Sequence, residues 1–106
     1  MVYTVDEIRN RVTPVAQKYQ LKAVYLFGSY ARNEATENSD VDILVDRQGS
    51  VIHGMFEMGG LYNDLKESMG KEIDLVTTQT LEQKSTLERT PWFVDNLKAE
   101  MVKLYE

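Results

Sequence analysis

The sequence predicts an α/β fold, a small β-sheet of about three strands flanked by helices. Three observations carry this. Apolar residues recur at helical spacing over positions 4–19 and again from Phe56 to Met69; three short segments rich in β-branched or alternating apolar residues read as strands; and the two kinds of segment are interleaved along the chain. A chain of 106 residues, 42% hydrophobic and 27% charged, has the composition of a globular protein and the length of one compact domain, residues 1–106.

Thr4 and Glu7 form a capping box, and Val5, Ile8, Val12, Val15 and Tyr19 follow at helical spacing, so residues 4–19 are the first helix. Pro14 lacks an amide hydrogen and predicts a kink near Thr13. Lys22–Phe27 is a short apolar run stopped by Gly28 and reads as a buried strand. Val41, Ile43 and Val45 alternate with Asp40, Asp42, Leu44 and Asp46 in the second strand, and Ile73 and Leu75 with Glu72, Asp74 and Val76 in the third. Between them Phe56, Met58, Leu61, Leu65 and Met69 support a helix that Gly70 ends in a left-handed conformation, with Met55, Met58 and Met69 serving as packing. Thr80 caps a short helix carrying Leu81 and Leu87. Thr90-Pro91 opens a last one, whose stripe of Phe93, Leu97, Met101 and Leu104 runs to the C-terminus.

Charge and composition exclude several functions. There is no cysteine, and the single His53 reads as an exposed loop residue, so thiolate chemistry and zinc clusters are out and any metal must be held by oxygen. A net charge of −5 argues against duplex nucleic acid as a partner, because that affinity comes from neutralising phosphates. No apolar run approaches the roughly 20 residues that cross a bilayer, and the opening lacks a signal-peptide layout, which predicts a cytoplasmic protein with no membrane partner.

The informative segment is Gly28–Asp46, which begins where a buried strand ends. Gly28 and Ser29 stand at a strand-to-helix turn whose amides and hydroxyl can receive phosphate oxygens, although a lone Gly-Ser is more often an ordinary tight turn. Asp40 and Asp42, two apart on a strand, project from one face with α-carbons about 6.5 Å apart. Isolated, they would be a solvated strand face; with Asp74 on a neighbouring strand they become three converging carboxylates, able to hold two Mg²⁺ ions for work on a nucleoside triphosphate. Arg32 can meet phosphate, or pair with Glu34 or Asp40. Trp92 and Phe93 fit either core packing or a partner contact.

Gly28-Ser29-Tyr30-Ala31-Arg32 with Ser39-Asp40-Val41-Asp42 resembles the signature of the nucleotidyltransferases of the DNA polymerase beta superfamily. More narrowly, the whole chain is similar to the minimal nucleotidyltransferases (MNT), the antitoxin half of HEPN/MNT toxin–antitoxin pairs. That likeness extends through Gly70-Lys71-Glu72-Ile73-Asp74-Leu75-Val76 to the closing Leu104-Tyr105-Glu106. The resemblance implies a mixed sheet of the polymerase beta-like kind. It also implies that Gly28, Ser29 and Arg32 bind the nucleotide, that Asp40 and Asp42 hold the metals, and that Asp74 is the third acid, helping to deprotonate the acceptor. One departure is Asn33, where many relatives have Gly after the Arg.

The expected reaction is attack of an acceptor hydroxyl on the α-phosphorus of ATP, with Mg²⁺ assistance and loss of pyrophosphate. Only 32 residues follow Asp74, too few for the helical domain with which larger relatives enclose a small acceptor. The acceptor is therefore expected on another protein, by resemblance a tyrosine of the cognate HEPN ribonuclease toxin. Two other readings compete: a noncatalytic antitoxin that neutralises by binding, and a nucleotidyltransferase acting on a small molecule.

Overall fold

The computed structural model describes residues 2–78 and 101–106. The first helix, α1 (Val5–Lys18), starts at the capping box: the Thr4 hydroxyl accepts from the Glu7 amide at 3.1 Å, and the Glu7 carboxylate accepts from the Thr4 amide at 3.0 Å. These two bonds satisfy amides that the first turn would leave unpaired. Ile8, Val12, Val15 and Ala16 form its buried stripe, and the helix continues through Pro14.

Strands β1 (Ala23–Phe27), β2 (Val41–Asp46), β3 (Ile73–Thr77) and β4 (Val102–Tyr105) form one mixed sheet in the order β3-β2-β1-β4. β1 runs antiparallel to β2 and β4, whereas β2 and β3 are parallel and joined through helix α3 (Met55–Met69). One-turn helix α2 (Gly28–Ala31) follows β1 directly. α3 ends where the sequence places its stop: Gly70 sits at φ 65°, ψ 22°, and its amide donates to the Lys66 carbonyl at 2.8 Å. α1 is tied to α3 by Asp64, which accepts from the Tyr19 hydroxyl at 2.6 Å and the Lys18 ammonium at 2.9 Å. Those bonds, the tyrosine's first, hold the Asp64 carboxyl below its ordinary pKa.

Val41, Ile43 and Val45 of β2 lie with Val24 and Leu26 of β1 in the main core, joined by Leu61, Leu65 and Met69 of α3. The alternate residues face the other side of the sheet. There Leu44 is buried in a smaller cluster with Tyr25, Phe27, Val76 and Met101, and the carboxylates of Asp42 and Asp74 occupy the next row. The strand pattern thus separates stability on one face from charge on the other. No helix among the described residues is long and apolar enough to cross a membrane.

Two expectations need correction. The C-terminal residues are not the end of a helical stripe: Val102–Tyr105 is a fourth strand, antiparallel to β1. Leu104 is buried and Lys103 exposed, a period of two that a helical reading of Met101 and Leu104 overlooked. Pairing there satisfies a β1 backbone that would otherwise be a bare sheet edge. Met55 and Phe56 do not pack either; they are 87% and 91% exposed at the start of α3, while Met58 and Met69 do contact the core. The proposed caps and helices at Thr80 and Thr90-Pro91, with Trp92 and Phe93, lie outside the described residues.

If the C-terminal strand closes the core, Leu104→Ala should destabilise the fold by about 2–4 kcal/mol in urea unfolding, from lost burial and the cavity left behind. Lys103→Ala should stay within about 0.5 kcal/mol of the parent, since its side chain is exposed. Equal effects from the two would contradict the strand.

Candidate active site

The site is assembled by β1, α2, β2 and β3. Asp42 and Asp74 are direct register partners on the parallel pair β2–β3, and Asp42 is also opposite Phe27, the last residue of β1. Asp40 lies just before β2 and is exposed, as is Asp74; Asp42 is half-buried. Neither of the outer carboxylates points into the apolar core.

The chain leaves β1 at Gly28, which adopts φ +72°. A Cβ on that residue would stand 2.0 Å from the Asp42 Oδ2 and 2.9 Å from its Cγ. The carboxylate therefore lies directly against the glycine α-carbon, in space that any side chain would fill. Both the left-handed backbone and this close approach require glycine at position 28. Ser29 opens the same turn, half-buried, and its carbonyl accepts from the Glu34 amide at 2.8 Å.

Burial beneath this turn, followed by the like charges of Asp74 and then Asp40, pushes the Asp42 carboxyl up from 3.8 to about 6; the Arg32 guanidinium works in the opposite direction. The three other charged residues singled out in the sequence, Asp74, Asp40 and Arg32, are thus all felt at the Asp42 carboxylate. The three acids are neighbours without forming a ready-made cage: among the described residues no three Asp, Glu, His or Cys side chains form a ligand set for an ion. A Mg²⁺ ion bound with a nucleotide takes one or two protein carboxylates and completes its shell from phosphate and water, so it needs no such cage.

Arg32 caps α2 at the surface, with its Nε 3.2 Å from the Glu34 Oε2. Of the alternatives left open by the sequence, the Glu34 ion pair is present, while the charge still reaches Asp42. Asn33 adopts φ 60°. Asparagine is among the residues that best tolerate this region, which explains how the chain keeps the turn without the glycine of many relatives. His53 lies exposed in a loop. Two residues near the site escaped sequence reasoning, Tyr30 and Lys71: the Lys71 Nζ stands 5.7 Å from the centroid of the Tyr30 ring. Nothing in the spacing of positions 30 and 71 announces that contact.

Two stability tests follow from this geometry. The folded chain keeps a proton on Asp42 between about pH 4 and 6 that the unfolded chain has released, so this group makes the native state progressively less stable as pH rises through that window. Asp42→Asn should therefore stabilise the metal-free protein at pH 7.5, by about 1–2 kcal/mol after allowance for solvent screening. The gain should shrink toward pH 4 when followed by urea unfolding in EDTA; a variant less stable than the parent at pH 7.5 would contradict the assignment. Gly28→Ala should cost about 1–3 kcal/mol from strained backbone and steric overlap. Part of that cost should disappear in an Asp42→Ala background, a non-additivity that a double-mutant cycle detects; strict additivity would show that the two residues do not touch.

Residues 10–90 match the family described as polymerase beta, nucleotidyltransferase. A protein of Methanocaldococcus jannaschii whose name carries a provisional protein adenylyltransferase assignment is 37% identical over 78 residues, spanning 73% of this chain and 81% of the relative. The protein adenylyltransferase MntA of Thermococcus cleftensis is 34% identical over 82 residues, spanning 74% of this chain and 81% of its own length. A solved structure described as a toxin-antitoxin with AMP-PNP shares the fold, with a TM-score of 0.63 and 21% identity over 91% of this chain and 71% of that one. With its glycine turn and neighbouring acids on this scaffold, the chain belongs to the polymerase beta nucleotidyltransferase family.

Proposed function

We propose that this nucleotidyltransferase is a protein adenylyltransferase that acts as an antitoxin in the cytoplasm, moving AMP from ATP onto a tyrosine hydroxyl of a HEPN ribonuclease toxin. The observation that carries the proposal is the placement of the Asp42 carboxylate against Gly28 and in register with Asp74, which puts a phosphate-accepting turn beside paired acids. The adenylyltransferase name of the Thermococcus relative and the toxin-antitoxin fold neighbour support the choice of reaction and partner.

The donor set fits a hard divalent cation. It consists of carboxylate oxygens from Asp40, Asp42 and Asp74, and the like-charge repulsion that raises the Asp42 pKa is what a cation relieves. Mg²⁺, two ions on this reading, would supply charge neutralisation at the attacking and leaving oxygens when bound. The residues of the chain do the rest. Gly28 and Ser29 offer backbone amides and a hydroxyl to the triphosphate, and Arg32 adds a guanidinium suited to phosphate oxygens. Asp74, exposed at the mouth of the site, can be reached by an acceptor on another protein and takes the proton from its hydroxyl. The new bond joins that oxygen to the α-phosphorus; the bond to the β-phosphate oxygen breaks, and pyrophosphate leaves with the electron pair.

Incubation of the protein with ATP labelled in its α-phosphate, Mg²⁺ and the cognate toxin should label the toxin. Asp42→Asn should reduce that label by at least about 100-fold, a typical cost for losing a group that acts on the reacting centre, and EDTA should abolish it. No labelled toxin under any metal condition, or full toxin neutralisation by Asp42→Asn, would overturn the proposal in favour of neutralisation by binding.

A further inference from the structure

Asp40 is the least supported of the three acids by the sheet, since it lies before the first residue of β2 on an exposed connection. That connection contains a tight turn held mostly by its own groups. The Thr36 amide donates to the Ser39 hydroxyl at 2.9 Å, and the Ser39 amide returns to the Thr36 carbonyl at 3.0 Å. Lys71, at the C-terminal end of α3 just past Gly70, reaches across from the β3 side. Its Nζ donates to the Glu37 carbonyl inside this turn at 3.0 Å. The same ammonium stands 5.7 Å from the centroid of the Tyr30 ring, which is 4% exposed and follows Ser29 in α2. Lys71 also lines a cleft of about 340 Å³ together with Ser39 and Asp40.

One side chain therefore touches both halves of the site, the turn that leads into Asp40 and the helix that follows Gly28 and Ser29. We infer that Lys71 is a positioning residue, a latch that fixes the Asp40 turn relative to the phosphate-accepting turn and so sets the distance across which a metal–nucleotide complex is held. This rests on the nucleotidyltransferase reading of the site and goes beyond it, because the contacts of Lys71 are with the Glu37 carbonyl and the Tyr30 ring rather than with the acids themselves. The Tyr30 hydroxyl is buried and has no hydrogen-bond partner among the described residues. Its ring therefore serves the contact with Lys71 through its face, and the hydroxyl adds nothing to the latch.

The test uses Lys71→Met, which keeps the aliphatic stem and removes the charge, with Lys71→Arg as the conservative counterpart and Tyr30→Phe as the ring-preserving one. Binding of Mg²⁺ with α,β-methylene-ATP is measured by calorimetry, and amide exchange is followed at Thr36, Asn38 and Ser39. Lys71→Met should weaken binding about tenfold, the usual cost of losing a group that orients a metal ligand. It should also speed exchange in the turn while the melting temperature stays within about 2 °C of the parent, as for other surface substitutions. Lys71→Arg should restore most of both properties, and Tyr30→Phe should leave both unchanged. Unchanged binding and exchange in Lys71→Met, or a loss that Lys71→Arg does not rescue, would overturn the latch. If the parent failed to bind the nucleotide at all, the transferase reading would fall, and the exchange rates of Lys71→Met would still decide whether Lys71 holds the turn.

Discussion

The rest of the structure depends on the contact between the Asp42 carboxylate and the α-carbon of Gly28. β1 delivers the glycine at the end of a buried strand, and β2 delivers the aspartate on the neighbouring strand, opposite Phe27. The left-handed backbone at Gly28 then folds the chain over the acid. Every later feature of the site follows from this closeness. Burial under the turn is the leading cause of the raised Asp42 pKa, and the same turn presents the backbone and hydroxyl groups suited to phosphate.

This arrangement costs stability, and the opposite face of the same strand offsets it. Val41, Ile43 and Val45 are completely buried against α1 and α3, alternating with Asp42 and its neighbours. A strand with one apolar and one acidic face can hold like charges together only because its other face is anchored. The site's charge balance also bears on the proposed function. On that reading a chain of net charge −5 that takes up a nucleoside triphosphate needs positive charge locally; the Arg32 guanidinium is felt at Asp42, and divalent ions would complete the balance.

Local rules made much of this legible in the sequence. The capping box at Thr4 and Glu7 and the left-handed stop at Gly70 depend on neighbouring residues, and both appear where the pattern placed them. The alternation of Val41, Ile43 and Val45 with Asp42 gave that acid's face, and the neighbours Ile73 and Leu75 placed Asp74 beside it; Asp40, read as part of the same strand, instead lies just before β2, because strand pairing begins only at Val41. What the sequence withheld was set by pairing between distant segments. Val102–Tyr105 is too short to declare itself a strand beside residues that also fit a helical spacing, and only the open edge of β1 decides its state. Phe56 matches a helical stripe by period yet remains exposed in the first turn of α3, because period alone does not fix where along a helix packing begins. The Lys71–Tyr30 contact joins residues far apart in sequence and has no local signature.

The most direct test of the account is an amide-resonance titration of the isotopically labelled protein with α,β-methylene-ATP, in the presence and absence of Mg²⁺. The account predicts saturable shifts centred on Gly28, Ser29 and the residues around Asp40, Asp42 and Asp74, dependent on Mg²⁺. Shifts confined to another surface, or identical with and without the ion, would contradict the claim that this glycine turn and its acids form a metal–nucleotide site.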